Sequence, residues 1–286
     1  TGDPYEYGVV SFLDVGNAAA FFDRFNITRA PVPFPATTTE YIDFNTGAIV
    51  NQTSPSFADQ MTAMQKFLDV VKPWTDYTQP GYWNFPQPAD IPPDMLIPFG
   101  DFVTKYGVED AVPLIYWSTG IGLGNMTQET TMFVLQAFGT YMAEALLGQM
   151  NSYHPAQGGN QALYNAIMTD LGKDVLYQST VLASLRTNFG VFLTVQNSAT
   201  GQITLITARQ LLIAIEPTAA NTAPLNLSGD ECAVLSKFTF THEFTAIINN
   251  TALQAPIAYS NLPSTAAPDN YQILPNMPFT NVITYL

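Results

Sequence analysis

Residue types able to do chemistry are sparse in this chain. The two histidines, His154 and His242, lie far apart: His154 precedes Pro155 in a predicted loop, and His242 stands beside Glu243 on a predicted strand. Either can orient a ligand or serve as a hydrogen-bonded structural side chain. The single cysteine, Cys232, allows neither an intrachain disulfide nor a cysteine-based metal site, and no metal is expected. A small packed residue is its expected role. No G-x-S-x-G elbow and no H-E-x-x-H pair occurs. Acidic residues are plentiful, yet no spacing isolates the carboxylate pair that glycoside chemistry needs. Gly120, Gly122 and Gly124 approach a dinucleotide fingerprint but follow G-x-G-x-G, with a predicted helix rather than a strand before them. A phosphate loop needs strand, glycine turn and helix in that order, so a flexible turn is expected here.

The charge balance narrows the partners. Nine Lys+Arg against 23 Asp+Glu give a formal net charge of −14. Such a surface repels nucleic acid, which is bound through clustered Lys and Arg. It can favour a cationic small-molecule substrate such as an amine, or simply keep the protein soluble. No apolar run reaches the roughly 18 residues of a membrane span. Five N-x-[S/T] sequons, at Asn26, Asn51, Asn125, Asn226 and Asn249, beside few lysines point to a glycosylated, secreted, extracellular protein. No signal peptide is visible, and the chain is expected to begin after processing.

The positioning elements follow from periodicity. Tyr7 to Phe12 reads as a strand. Asn17 opens a helix with Ala18, Phe21, Phe22 and Phe25 on one face. Tyr41 to Phe44 and Ala48 to Val50 form a hairpin across Asn45-Thr46-Gly47. Ser56 to Val71 is a helix with Met61, Met64, Phe67, Leu68 and Val71 as its stripe, stopped by Pro73. The aromatic, proline-rich run from Trp74 to Pro98 reads as an irregular packed loop. Further helices are predicted over 98–106, 108–116, 127–149 and 160–171, the last closed by Gly172. The period then changes: 175–185, 191–195 and 203–215 read as strands, with a turn at 197–201. A short helix at 230–236 leads to a strand over 238–248, and the loop-rich end closes on a possible strand at 281–286. No internal repeat appears. Strand, helical block, strand block is an α+β order rather than βαβ alternation.

Three segments resemble the flavin-containing amine oxidase superfamily, especially its fungal branch of beta-cyclopiazonate dehydrogenase-like flavoproteins. Tyr5-Glu6-Tyr7-Gly8-Val9-Val10-Ser11-Phe12, with the helix ending Asp23-Arg24-Phe25-Asn26-Ile27, is similar to the family's strand beside the isoalloxazine, where glycine admits the backbone close to the ring. Gly158-Gly159-Asn160-Gln161-Ala162-Leu163 through Leu171-Gly172 to Thr180-Val181 resembles the return from substrate domain to cofactor domain. Gly190-Val191-Phe192-Leu193-Thr194-Val195 and Arg209 to Thr218 follow it. The segment from Asp230 to Asn249 is similar to the strand that re-enters the substrate domain. Many members carry a flavin-linked lysine there, where this chain has Thr245 or a neighbour.

The resemblance implies a mixed-sheet substrate-binding domain with flanking helices (29–157 and 219–286) plus remnants of a Rossmann-like FAD-binding domain (1–28 and 158–218). It implies cofactor contacts at Gly8, Val9, Val10, Ser11, Val191 and Ala214, with the Val191 backbone holding the adenine, and a substrate cavity lined by Tyr116, Trp117, Tyr141 and Phe244. The family's chemistry is oxidation of an amine or related C–N substrate by hydride transfer to flavin N5. The family's amino-terminal G-x-G-x-x-G segment and carboxy-terminal flavin segment have no counterpart in this sequence, so the chain alone is expected to bind FAD weakly or not at all. No catalytic residue is singled out. A non-catalytic secreted binding protein derived from this fold, and a secreted hydrolase, remain alternatives.

Overall fold

The computed structural model describes residues 5–6, 8–32, 38–51, 55–119, 123–240, 244–248, 252–254, 256–262 and 282–285. His242, Asn249, Gly120 and Gly122 lie outside them. Contacts divide the chain into two units, Thr1–Tyr164 with Thr241–Leu286, and Asn165–Phe240. The elements are mixed α+β, as expected.

In the first unit, β1 (Phe12–Leu13), β2 (Arg29–Pro31) and β5 (Ser152–Pro155) form an antiparallel sheet ordered β1-β5-β2. Between β1 and β2, α1 (Ala18–Arg24) buries Phe22 against Phe12 and Tyr153 in edge-to-face contacts. A second sheet joins β3 (Thr38–Asp43), β4 (Ala48–Ile49), β9 (Ile257–Asn261) and β10 (Val282–Tyr285) in the order β10-β9-β3-β4. Its β3–β4 pair is the hairpin that Asn45-Thr46-Gly47 predicts, and its β3–β9 pair is parallel.

The helical body comprises α2 (Phe57–Val71), α3 (Thr75–Thr78), α4 (Phe99–Tyr106), α5 (Val112–Ser118), α6 (Thr131–Ala137) and α7 (Thr140–Leu146). Ser56 caps α2: its Oγ accepts from the Asp59 amide at 3.2 Å, and Asp59 places negative charge at the first turn. The apolar stripe of α2 enters a core with Phe99, Phe102, Ile115, Leu135 and Phe138. α4 ends at Gly107, whose φ of 56° supplies the left-handed C-terminal turn. Pro73 does not end helicity. It sits in the first turn of a 3₁₀ segment, where its missing N–H leaves no orphan donor, and α3 follows.

The single helix expected over 127–149 is two. Gly139 separates α6 from α7, and a Cβ there would stand 2.4 Å from the Leu135 carbonyl oxygen. Gln79 fills the break, its Oε1 accepting from the Tyr141 amide at 3.2 Å.

The boundary between the units falls within α8 (Gly159–Leu171). Beyond it, β6 (Ser179–Thr187), β7 (Gly190–Asn197) and β8 (Ile203–Ala208) form an antiparallel meander, followed by α9 (Ala219–Thr222) and α10 (Gly229–Leu235). Val191, Leu193 and Val195 bury one face of the meander.

Several predicted strands shrink or vanish for want of a partner. β1 keeps two residues because β5 offers it only Ser152 and Tyr153. β8 stops at Ala208, which pairs with Val191. One residue earlier, β7 begins at Gly190, so the stretch from Gln210 to Ile215 runs past the start of β7. The described residues between 238 and 248 form no strand. His154, expected in a loop, lies on β5 opposite Ala30.

Candidate functional site

The segments at residues 5–12 and 158–163 meet in the structure. Gly158 and Gly159 turn the chain with φ of 72° and 59°, and α8 starts there. The Asn160 amide donates to Glu6 Oε1 at 2.6 Å. Asn160 Nδ2 donates to the Val9 carbonyl. A carboxylate thus sits on the positive end of a helix, where its charge is favoured. Asn160 is buried, and its Oδ1 has no hydrogen-bond partner among the described residues. The outcome is an anchored segment whose own surface stays open: Gly8, Val9 and Val10 are exposed, and nothing lies within 4 Å of a Cβ built on Gly8. Ser11 is half-buried.

The other expected cofactor residues belong to the second unit. Val191 is in the central strand of the meander, opposite Arg186 on one side and Ala208 on the other, so its main chain is engaged in the sheet. Ala214 is exposed on the irregular stretch after β8 rather than on a strand.

Of the four expected cavity residues, two come together. Tyr116 is 2% exposed in the helical core, and Trp117 packs edge-on against it with ring centroids 5.2 Å apart. Tyr141 is half-buried at the start of α7. Phe244 is 93% exposed. Among the described residues, no group of three or more His, Cys, Asp or Glu side chains could hold a metal ion.

Two charged clusters escaped the sequence reading. Asp94 accepts from Lys105 Nζ at 2.6 and 2.7 Å and from the Tyr106 hydroxyl, and these bonds hold its carboxyl below the usual range. The cluster ties the loop before α4 to the end of that helix. In the second unit, Arg186 grips Glu231 with two nitrogens, at 2.7 and 2.6 Å, and the Asn226 carbonyl at 2.7 Å. Glu231 also completes a capping box with Ser228 at the start of α10. The S-x-x-E spacing at 228–231 was a readable sign of that cap.

The Arg186 bonds first, and the Ser228 amide second, lower the Glu231 carboxyl to about 2. A carboxylate depressed by folding stabilises the fold at pH above its unfolded value, near 4.5. That contribution is lost as pH falls from there toward 2. Glu231→Gln is therefore expected to lower the melting temperature of the second unit at pH 6 and to flatten its dependence between pH 5 and 3. Melting curves followed by circular dichroism check this, and a variant with the wild-type slope would refute it.

A whole FAD does not fit the described residues. The pyrophosphate needs a strand, glycine turn and helix N-terminus, and the α8 N-terminus already holds the Glu6 carboxylate, which would repel a phosphate. The open Gly8–Val10 main chain can lie against a flat ring, but no described element cradles the phosphates.

No protein-family model matches the chain. It is 31% identical over 281 residues, 96% of its length, to the FAD-dependent oxidoreductase pigF of Monascus ruber, of which it covers 57%. It is 30% identical over 262 residues, 91% of its length, to the beta-cyclopiazonate dehydrogenase of Aspergillus flavus, of which it covers 54%. The chain thus spans about half the length of these curated relatives. Among solved structures, it matches a CLA-producing fatty acid isomerase from P. acnes with a TM-score of 0.58 and 18% identity, over 82% of this chain and 53% of that one. It matches a variant of putrescine oxidase at 0.52 and 13% identity, over 78% and 50%. At such identities these two speak for the fold alone. Similarity along nearly the whole chain and a likeness in fold agree with the resemblance read from the sequence: over about half of their length, FAD-dependent oxidoreductases that include a beta-cyclopiazonate dehydrogenase are what this chain is similar to.

Proposed function

We propose that this chain is the substrate-side portion of an FAD-dependent oxidoreductase that oxidises an amine or a related C–N substrate. The observation that carries the reading is the junction of the two resembling segments: Glu6 and Asn160 fasten the Gly8–Val10 main chain to the start of α8 and leave it open. A backbone held in this way offers a rigid edge for a flat ring system without a side chain in between. In the full-length protein the flavin supplies the redox chemistry as acceptor of a hydride. This chain contributes shape and the exclusion of water. The acidic balance of the sequence supports a cationic substrate, because a negative field raises the local concentration of cations. We assign 1–28 and 158–218 to the cofactor side and 29–157 and 219–286 to the substrate side. The sequons and the scarcity of lysine support secretion of the mature protein.

The test uses the full-length protein. Its purified form is expected to show the visible absorbance of bound flavin. Anaerobic mixing with a panel of primary and secondary amines is expected to bleach that absorbance, and admitted oxygen to restore it with release of peroxide. A full-length protein without flavin absorbance would overturn the family chemistry. A flavin that no amine reduces would overturn the substrate class.

A further inference from the structure

Asn26, Asn125 and Asn226 belong to three sequons whose residues are all described, and the fold treats them differently. Asn26 is exposed in the turn that ends α1, with a φ of 56°. The turn around it is fixed by its own amide, which donates to the Asp23 carbonyl at 3.1 Å, and by the Ile27 amide, which donates to the Phe22 carbonyl at 3.0 Å. Asn226 is exposed in the turn before α10, with a φ of 48°. Its carbonyl is held by Arg186, and the hydroxyl of its sequon, Ser228 Oγ, caps α10. At both sites asparagine takes a left-handed conformation that few side chains other than glycine tolerate.

Asn125 is the opposite case. It is half-buried, and Met126, the middle residue of its sequon, is 2% exposed in the helical core. Thr127 Oγ1 donates to Asn125 Oδ1 at 3.1 Å, and the Thr127 carbonyl accepts from the Gly100 amide at 2.7 Å. The sequon is thus threaded through packed structure, and a bulky, hydrated glycan on Asn125 would compete with that packing. A glycan on either exposed turn projects into solvent and disturbs nothing buried.

We infer that Asn26 and Asn226 are N-glycan acceptor sites and that Asn125 is left unmodified. The inference rests on the secreted placement proposed above. The test is peptide mass spectrometry on the full-length protein from its natural host, after enzymatic removal of N-glycans in heavy-oxygen water, which converts each glycosylated asparagine to labelled aspartate. Label at residues 26 and 226, with unmodified asparagine at 125, is the expected result. Label at 125 would overturn the selection of sites. Unmodified asparagine at both 26 and 226 would overturn the inference, and recovery of the protein from the culture medium or from the cells decides the secreted placement separately.

Discussion

Phe67→Ala is expected to destabilise the helical body by about 3–5 kcal/mol, the range for removing a large aromatic from a packed core. Phe67 is fully buried on α2, edge-on to Phe102 at 6.3 Å and tilted against Phe138 at 5.9 Å. It therefore joins α2 to α4 and to the residue that closes α6, and its loss leaves a cavity that none of them can close alone. Such a change takes a large share of a domain's net stability of about 5–15 kcal/mol. Urea unfolding followed by circular dichroism reads the effect. Phe67→Leu, which keeps most of the apolar volume, is expected to cost clearly less. Equal midpoints for the alanine variant and the wild type would show that the three helices do not depend on one another through this ring.

The elements legible in the sequence are those whose signal is local. The α2 stripe repeats at helical spacing behind a serine cap, and the hairpin at 41–50 turns on an asparagine–threonine–glycine. The meander alternates over three segments. What was not legible depends on partners distant in the chain. β5 is four residues long and becomes a strand because β1 and β2 reach it from well over a hundred residues away. β9 exists through its parallel pairing with β3. Conversely, the apolar stretch after Ala208 looks like a strand but runs past the start of β7.

The candidate site shows the same division. Glycines at 8, 158 and 159 were visible, whereas their joining through Glu6 and Asn160 spans more than 150 positions and follows from the fold alone. Aromatic spacing could not tell a cavity wall from a core. Tyr116 and Trp117 pack against the helical core, and Phe244 is exposed.

The other large effect is expected at Gly190. Its φ of 147° lies where side chains are strained, and a Cβ would stand 2.6 Å from the Ala208 carbonyl oxygen. Both penalties act where β7 leaves the turn from β6 and meets the last residue of β8, so relieving them means opening the β7–β8 ladder from that end. Backbone strain of this kind costs about 1–3 kcal/mol, before the collision is counted. Gly190→Val is expected to open the β7–β8 pairing and expose Val191 and Leu193, seen as faster amide exchange across 190–208 with unchanged protection in α2. In the full-length protein, the meander lies in the part assigned above to the cofactor side. There, the same substitution is expected to lower bound flavin per chain, while Phe67→Leu leaves flavin content near the wild-type level. Wild-type flavin content in a Gly190→Val protein whose meander exchanges freely would separate the meander from cofactor retention and confine the cofactor side of this chain to the segment held by Glu6 and Asn160.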